Sequence, residues 1–294
     1  MHSNQVFCGQ FSKDGSIFMS ATQDKMLRLY DTENWSCIKK IRARDMGWAV
    51  LDTDYSPDQR WVIYTSWSNY AHMCNTTGEN ETHEPLDMKP GSNGRFCLFS
   101  VKFSPNSQEI IGGSCDKRVY VFDLVKKERI MRVEGHNDDI NTVAYADETG
   151  NIFFSGSDDQ LIKVWDRRVL DQKEKSCNVG TLVGHLEGIT HINSKGDGRY
   201  LISNGKDQCI KLWDIRKMSD NTVKPKRVSN WDYRSGFRGN RRNQFDGKKK
   251  DSADCSLMTY RGHSVYQTLI RYTFFIFLFI LFFIFYFLFF VLKC

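Results

Sequence analysis

The sequence predicts an all-β fold assembled from repeated four-stranded units, on three observations. Two segments end alike: SGSDDQLIKVWDRR closes on Trp165-Asp166-Arg167-Arg168, and SNGKDQCIKLWDIR closes on Trp213-Asp214-Ile215-Arg216. Each follows a Gly-His pair, Gly135-His136 and Gly184-His185. An Asp ahead of an alternating strand recurs at Asp24, Asp116, Asp159 and Asp207, with Asn69 in the same slot of a diverged unit. The steps are about 43 to 48 residues, the period of four-stranded β-propeller blades.

The elements of each unit follow in order. A first strand ends in a turn, FSKDG at 11–15, YSPDQ at 55–59 and FSPNS at 103–107. A short apolar second strand comes next, as at 110–112 and 200–203. A tight turn then carries the Asp, and a third strand alternates apolar with polar residues, as in Leu161-Ile162-Lys163-Val164-Trp165. Five units fit between about residues 6 and 217.

The recurring polar residues have a structural task. A Trp indole N–H, a Ser hydroxyl, a His imidazole and the turn Asp can hydrogen-bond in series, and a buried carboxylate needs such partners. The fourth unit offers His136, Ser155, Asp159 and Trp165; the fifth offers His185, Ser203, Asp207 and Trp213. A Ser/His/Asp catalytic triad is the rival reading. Recurrence of the same set in successive units assigns it to the fold.

The motifs GH…SGSDD…IKVWD and GH…SNGKD…IKLWD resemble the WD-repeat family over about residues 6–217. The likeness is weaker in the first unit, with Tyr30-Asp31, and in the third, with Phe122-Asp123; the second has Cys74-Asn75. The resemblance implies a propeller without catalytic activity that presents loops and faces to other proteins. It also implies seven blades, about five of which this chain carries. Residues 257–271 are read as the start of a sixth unit, and the chain as C-terminally truncated or aberrant, with two open edges.

A subset of the family ends its third strand in W-D-x-R. There the Arg marks docking onto damage-specific DNA-binding protein 1, the adaptor of cullin-4 ubiquitin ligases. By this resemblance Arg168 and Arg216, with Asp166 and Asp214 before them, are the adaptor-binding residues. Arg suits the task, being a rigid, permanently charged fork enriched at interface hot spots. The stretches KIRARDMGW (40–48), GHLEGIT (184–190), NWDYR (230–234) and LMTYRGH (257–263) resemble the cullin-4-associated branch and the plant LEC14B-like proteins. That branch implies a receptor that recruits a target protein for ubiquitination and proteasomal degradation. A general protein-interaction scaffold, with or without a membrane tail anchor, is the alternative.

Composition narrows the rest. The chain has 294 residues with 40% hydrophobic and 26% charged, enough for one large β domain. Its nine cysteines show no metal spacing and no C-x-x-C pair, which suits reduced thiols in the cytoplasm or nucleus. No phosphate loop or metal motif occurs, so neither catalytic residues, metal nor cofactor is expected. The sequons at Asn34, Asn75 and Asn80 are read as chance, because the N-terminus lacks an apolar signal region.

The net charge of +6 is concentrated between Lys217 and Lys250. The loop or linker 218–256 carries KPKR at 224–227, RGNRR at 238–242 and KKK at 248–250, with Trp231, Tyr233 and Phe237 among them. A solvated insertion is the leading reading, ahead of nuclear targeting, with nucleic acid the weakest. Loops 75–94 and 219–254 are candidates for target contact. Finally, 272–292 carries no charge and is long enough to span a bilayer as a helix. Read physically it is a C-terminal tail anchor. Its composition, half Phe with no Gly or Ala, favours translated noncoding sequence instead.

Overall fold

The computed structural model describes residues 6–78, 81–89, 91, 96–170, 178–220, 252–263 and 265. These form five four-stranded antiparallel sheets. The first holds β1 (Val6–Phe11), β2 (Ile17–Thr22), β3 (Met26–Asp31) and β4 (Cys37–Arg42). The second holds β5 (Val50–Tyr55), β6 (Trp61–Ser66), β7 (Tyr70–Asn75) and β8 (His83–Asp87). The third holds β9 (Leu98–Phe103), β10 (Glu109–Ser114), β11 (Arg118–Asp123) and β12 (Glu128–Glu134). The fourth holds β13 (Ile140–Tyr145), β14 (Ile152–Ser157), β15 (Ile162–Asp166) and β16 (Gly180–Leu182). The fifth holds β17 (Ile189–Ser194), β18 (Tyr200–Gly205), β19 (Cys209–Asp214) and β20 (Met258–Arg261).

This is a five-bladed β-propeller. The turn Asp positions fall two or three residues before β3, β11, β15 and β19, and Asn69 immediately before β7. The residue after each Asp is left-handed, at Lys25, Lys117, Gln160 and Gln208. The Asp carboxylate meets the backbone N–H two residues on, as Asp159 Oδ1 does from Leu161 at 3.1 Å. An Asx turn of this kind stabilises a left-handed residue that is not glycine.

Strand alternation is explained by what each face meets. In β15, Ile162 and Val164 enter the core shared with the fifth sheet, while Trp165 enters the core shared with the third. The other cores lie between the first and second sheets and between the second and third. Each sheet is therefore buried on the faces it shares with its neighbours.

The inner strands β1, β5, β9, β13 and β17 neighbour one another in that order. Their inner edges would leave backbone N–H groups without partners. Side chains of the preceding inner strand accept those bonds. Asp52 accepts from Val101 N at 3.0 Å, and Asp54 from Phe103 N at 2.8 Å. Ser100 Oγ accepts from Val143 N at 3.2 Å, and Thr142 Oγ1 from Ile192 N at 3.1 Å. Burial raises the Asp54 carboxyl, against the pull of Lys102 3.3 Å away.

The segment read as the start of a sixth unit gives its first strand, β20, to the fifth sheet, where Leu212 pairs with Met258 and Cys209 with Arg261. Residues 264 and 266–271 of that segment, 221–251 of the basic loop and the apolar stretch 272–294 lie outside the described residues. Among the described residues no helix is long and apolar enough to cross a membrane.

Candidate functional site

The ends of β15 and β19 share one construction. Asp166 and Asp214 each cap a single 3-10 turn, Arg167–Val169 and Ile215–Lys217, by accepting from the backbone N–H two residues on. The same carboxylate receives the Arg fork: Arg168 Nη2 is 2.6 Å from Asp166 Oδ2, and Arg216 Nη2 is 2.9 Å from Asp214 Oδ2. Each Asp thus holds both the turn and the guanidinium that follows it. The two Arg side chains stay 66% and 63% exposed, whereas Asp166 and Asp214 are 15% and 3% exposed. The Arg168 hydrogen bonds hold the Asp166 carboxyl below its ordinary range.

The two turns are anchored differently. Arg167 forms an ion pair with Glu109 at the start of β10, tying the fourth sheet's turn to the third sheet. Asp214 takes a second guanidinium, Arg199, at 3.0 Å within its own sheet. Antiparallel order puts the ends of β3, β7, β11, β15 and β19 on one face together with the first-to-second strand turns. The opposite face carries the Asp turns and the approaches to the inner strands.

Beneath these turns lie the polar series. Trp165 Nε1 donates to Ser155 Oγ at 2.8 Å, Ser155 donates to His136 Nε2 at 2.7 Å, and His136 Nδ1 donates to Asp159 at 2.8 Å. In the fifth sheet the Trp213–Ser203 and Ser203–His185 distances are both 2.7 Å, and His185 donates to Asp207 at 3.0 Å. These directions give the indole, hydroxyl and Nδ1 hydrogens of each series an acceptor. Trp165, Trp213, Ser155 and Ser203 are at most 1% exposed, so no substrate reaches the Ser hydroxyls. Burial pushes Asp159 and Asp207 upward, but His136 and His185, with backbone N–H donors, hold both below the ordinary carboxylate value. Gly135 is required because the Trp165 ring lies where a Cβ would stand.

The first three sheets reach the same end with other residues. Asp24 is held by Arg28 and Thr22, and its carboxyl falls to about 2, chiefly through Arg28. Asp116 accepts from Tyr120 at 2.6 Å and from Arg118 at 3.1 Å. In the second sheet Tyr64 donates to His83 Nε2 at 2.7 Å, and His83 Nδ1 donates to Glu81 at 2.8 Å. His72 stacks on Tyr64 with ring centroids 5.2 Å apart, and Asp45 lies 3.1 Å from its Nε2 without the alignment of a hydrogen bond. The pattern of Gly-His and Trp-Asp gave no notice of Tyr64, Glu81, His72 or His83.

Burial depresses His72, His83 and His263, the last to about 4. Because these groups bind protons more weakly folded than unfolded, their contribution is present above about pH 6.5 and declines as pH falls toward the folded values. Burial also pushes Asp139 up to about 6 and Glu187 up to about 7, and these carboxyls act with the opposite sign in the same window. The histidine contribution is therefore read as a difference: His263→Gln is expected to lose less melting temperature between pH 7 and pH 5 than the wild type, and parallel profiles contradict this.

A WD domain, G-beta repeat model matches residues 1–31, 87–123, 127–166 and 176–214, half of the chain. The chain is 41% identical to the LEC14B homolog of Prunus armeniaca over 282 residues, covering 92% of this chain and 58% of that protein. It is 42% identical to the LEC14B protein of Lithospermum erythrorhizon, with the same coverage of each. It is 35% identical to the DDB1- and CUL4-associated factor 11 homolog of Caenorhabditis elegans, covering 92% of this chain and 50% of that protein. The chain thus spans a little over half the length of these curated relatives. With five sheets of one plan, the buried Asp–His–Ser–Trp series in two of them and the matching repeat model, the chain belongs to the WD-repeat family.

Proposed function

We propose that this chain is the propeller portion of a substrate receptor for a cullin-4 ubiquitin ligase, docking the DDB1 adaptor through Arg168 and Arg216. The observation that carries the reading is the pair of Asp-capped turns of one construction on adjacent sheets, each presenting an Arg fork about two-thirds exposed. The relatives named for association with DDB1 and CUL4 support it. The role is non-enzymatic: the propeller supplies effective concentration of a target near the ligase. Localisation in cytoplasm or nucleus follows from this reading. Co-purification of the adaptor with the wild-type chain, and its loss from the Arg168→Glu/Arg216→Glu variant, is the test. Undiminished adaptor in the variant would end docking through these two arginines, and no adaptor with the wild-type chain leaves the general scaffold reading in its place.

The target contact falls, on this proposal, on the opposite face. Trp48 and Trp67 stand 52% and 44% exposed there. They pack edge-on against Phe7 and Phe99 of the inner strands, at 5.0 and 5.5 Å. Exposed aromatic groups on a rigid frame are typical interface anchors. Replacing both Trp residues with Ala is expected to leave the adaptor bound while depleting a protein retained by the wild type, read by quantitative mass spectrometry. An unchanged set of retained proteins would move target contact to another surface.

A further inference from the structure

Two thiols sit together at the edge of the third sheet, on the face opposite the Trp-Asp-x-Arg turns. Cys97 lies just before β9 and Cys115 just after β10, immediately beyond the last paired residues, Leu98 and Ser114. The backbone N–H of Cys115 donates to the Cys97 carbonyl at 3.1 Å, and the backbone N–H of Cys97 donates to Cys115 Sγ at 3.3 Å. The two cysteines are the next opposed pair after Leu98 and Ser114, and directly opposed residues of antiparallel strands have Cα atoms about 4.5–5.5 Å apart. A disulfide accepts Cα separations of roughly 4.4–6.8 Å, so closure needs rotation about the side-chain bonds and little backbone movement.

We propose that Cys97 and Cys115 form a reversible redox pair that hydrogen peroxide oxidises to a cross-strand disulfide. Cys115 is the first to react, because it is half-buried whereas Cys97 is fully buried. The thiol of Cys97 donates toward Cys115 and lowers its pKa, while that same hydrogen bond, with burial, pushes Cys97 up. Thiolate character and access together select the attacking sulfur.

The chemistry balances. The Cys115 thiolate attacks one peroxide oxygen; the O–O bond breaks, the sulfur becomes a sulfenic acid, and hydroxide leaves to become water. The Cys97 sulfur, releasing its proton, then attacks the sulfenic sulfur. The S–S bond forms, the S–O bond breaks, and the second hydroxide leaves as water. Two electrons pass from the two sulfurs to the peroxide, and a dithiol reductant reverses the sum.

The pair is well placed for consequence. Cys97 is two residues before Phe99, which packs on Trp67. Cys115 precedes Asp116, which holds Ser114, Arg118 and Tyr120. A bond between them clamps the entry to β9 onto the third Asp turn, beside the surface proposed for target contact. The redox inference does not depend on the ligase reading, and its test uses no adaptor.

The test treats the folded full-length chain with hydrogen peroxide, blocks remaining thiols and digests with trypsin without reduction. Peptides 96–102 and 103–117 are expected joined, with a mass lower by two hydrogen atoms than their sum, and separated again by dithiothreitol. In Cys97→Ser, Cys115 is expected to stop at the sulfenic acid, trapped by dimedone. Cys37 is exposed and serves as the internal measure of unassisted oxidation. The proposal fails if the joined peptide is absent while Cys115 is oxidised further or remains alkylatable. It also fails if the urea-unfolded chain gives the same yield, because folded proximity would then contribute nothing.

Discussion

Trp213→Ala is expected to cost about 3–5 kcal/mol, the range for emptying a large buried aromatic site. Trp213 is wholly buried in the core between the fourth and fifth sheets. Its indole N–H satisfies Ser203, which donates to His185, which in turn serves Asp207. Removal therefore leaves a cavity and a hydroxyl that has lost its donor. Trp213→Phe keeps most of the ring and loses only the N–H, so about 1 kcal/mol is expected, near the net value of one hydrogen bond. Repeat architectures lose order locally, through the interface between neighbouring units. Amide exchange in β18 and β19 should thus rise well before exchange in β2 and β3. Equal acceleration throughout would show that the sheets unfold as one cooperative unit, and no acceleration in β18 and β19 would remove Trp213 from the support of the fifth sheet.

The difference between the fourth and fifth sheets and the other three marks how far the residues could be read in advance. Gly-His, Ser, Asp and Trp recur there with fixed spacing because one hydrogen-bonded series needs all four, so period and chemistry coincide. In the first and third sheets the turn Asp persists while its partner changes to Arg28 or Tyr120; in the second, Asn69 takes its place and Tyr64, His83 and Glu81 make the polar series. A signal was present: a long polar or phenolic residue stands four positions after each turn Asp, at Arg28, Tyr120, Lys163 and Lys211. Lys163 reaches the Gly135 carbonyl, and Lys211 reaches Asp254 at 2.7 Å, Ser256 and Thr259. The outer strand of the fifth sheet was harder. A repeat in the sequence opens with the outer strand of the preceding sheet, so β20 belongs to a segment that reads as the next unit. The wide separation of β19 and β20 hides their pairing. Likewise, the inner-strand acceptors Asp52 and Asp54 look like ordinary polar positions, because their partners are backbone groups of the neighbouring sheet.

Arg168→Glu with Arg216→Glu is expected to abolish adaptor binding while leaving the fold intact. An Arg at an interface hot spot contributes about 2 kcal/mol or more on truncation. At 1.4 kcal/mol per decade, two such losses lower affinity roughly 10²–10³-fold, and charge reversal adds repulsion. The fold should tolerate this, because the turns rest on Asp166 and Asp214 accepting backbone N–H groups at 3.0 and 3.1 Å, which any residue supplies. Single variants to Ala separate the two positions. Each should weaken binding by roughly one to two decades on the same arithmetic. Arg→Lys should restore charge without the fork, and so rescue little if bidentate recognition is used. The Asp residues supply the sharper contrast. Asp166 serves chiefly its own turn and Arg168, so Asp166→Asn is expected to loosen the Arg168 fork with little loss of stability. Asp214 is nearly buried and holds Arg199 as well as Arg216, so Asp214→Asn should lower the melting temperature as well as the adaptor yield. A docking surface made of positioned guanidinium groups predicts that order. Two ordinary solvated arginines predict full adaptor recovery from every variant at either Arg, and that result would end the docking role of Arg168 and Arg216.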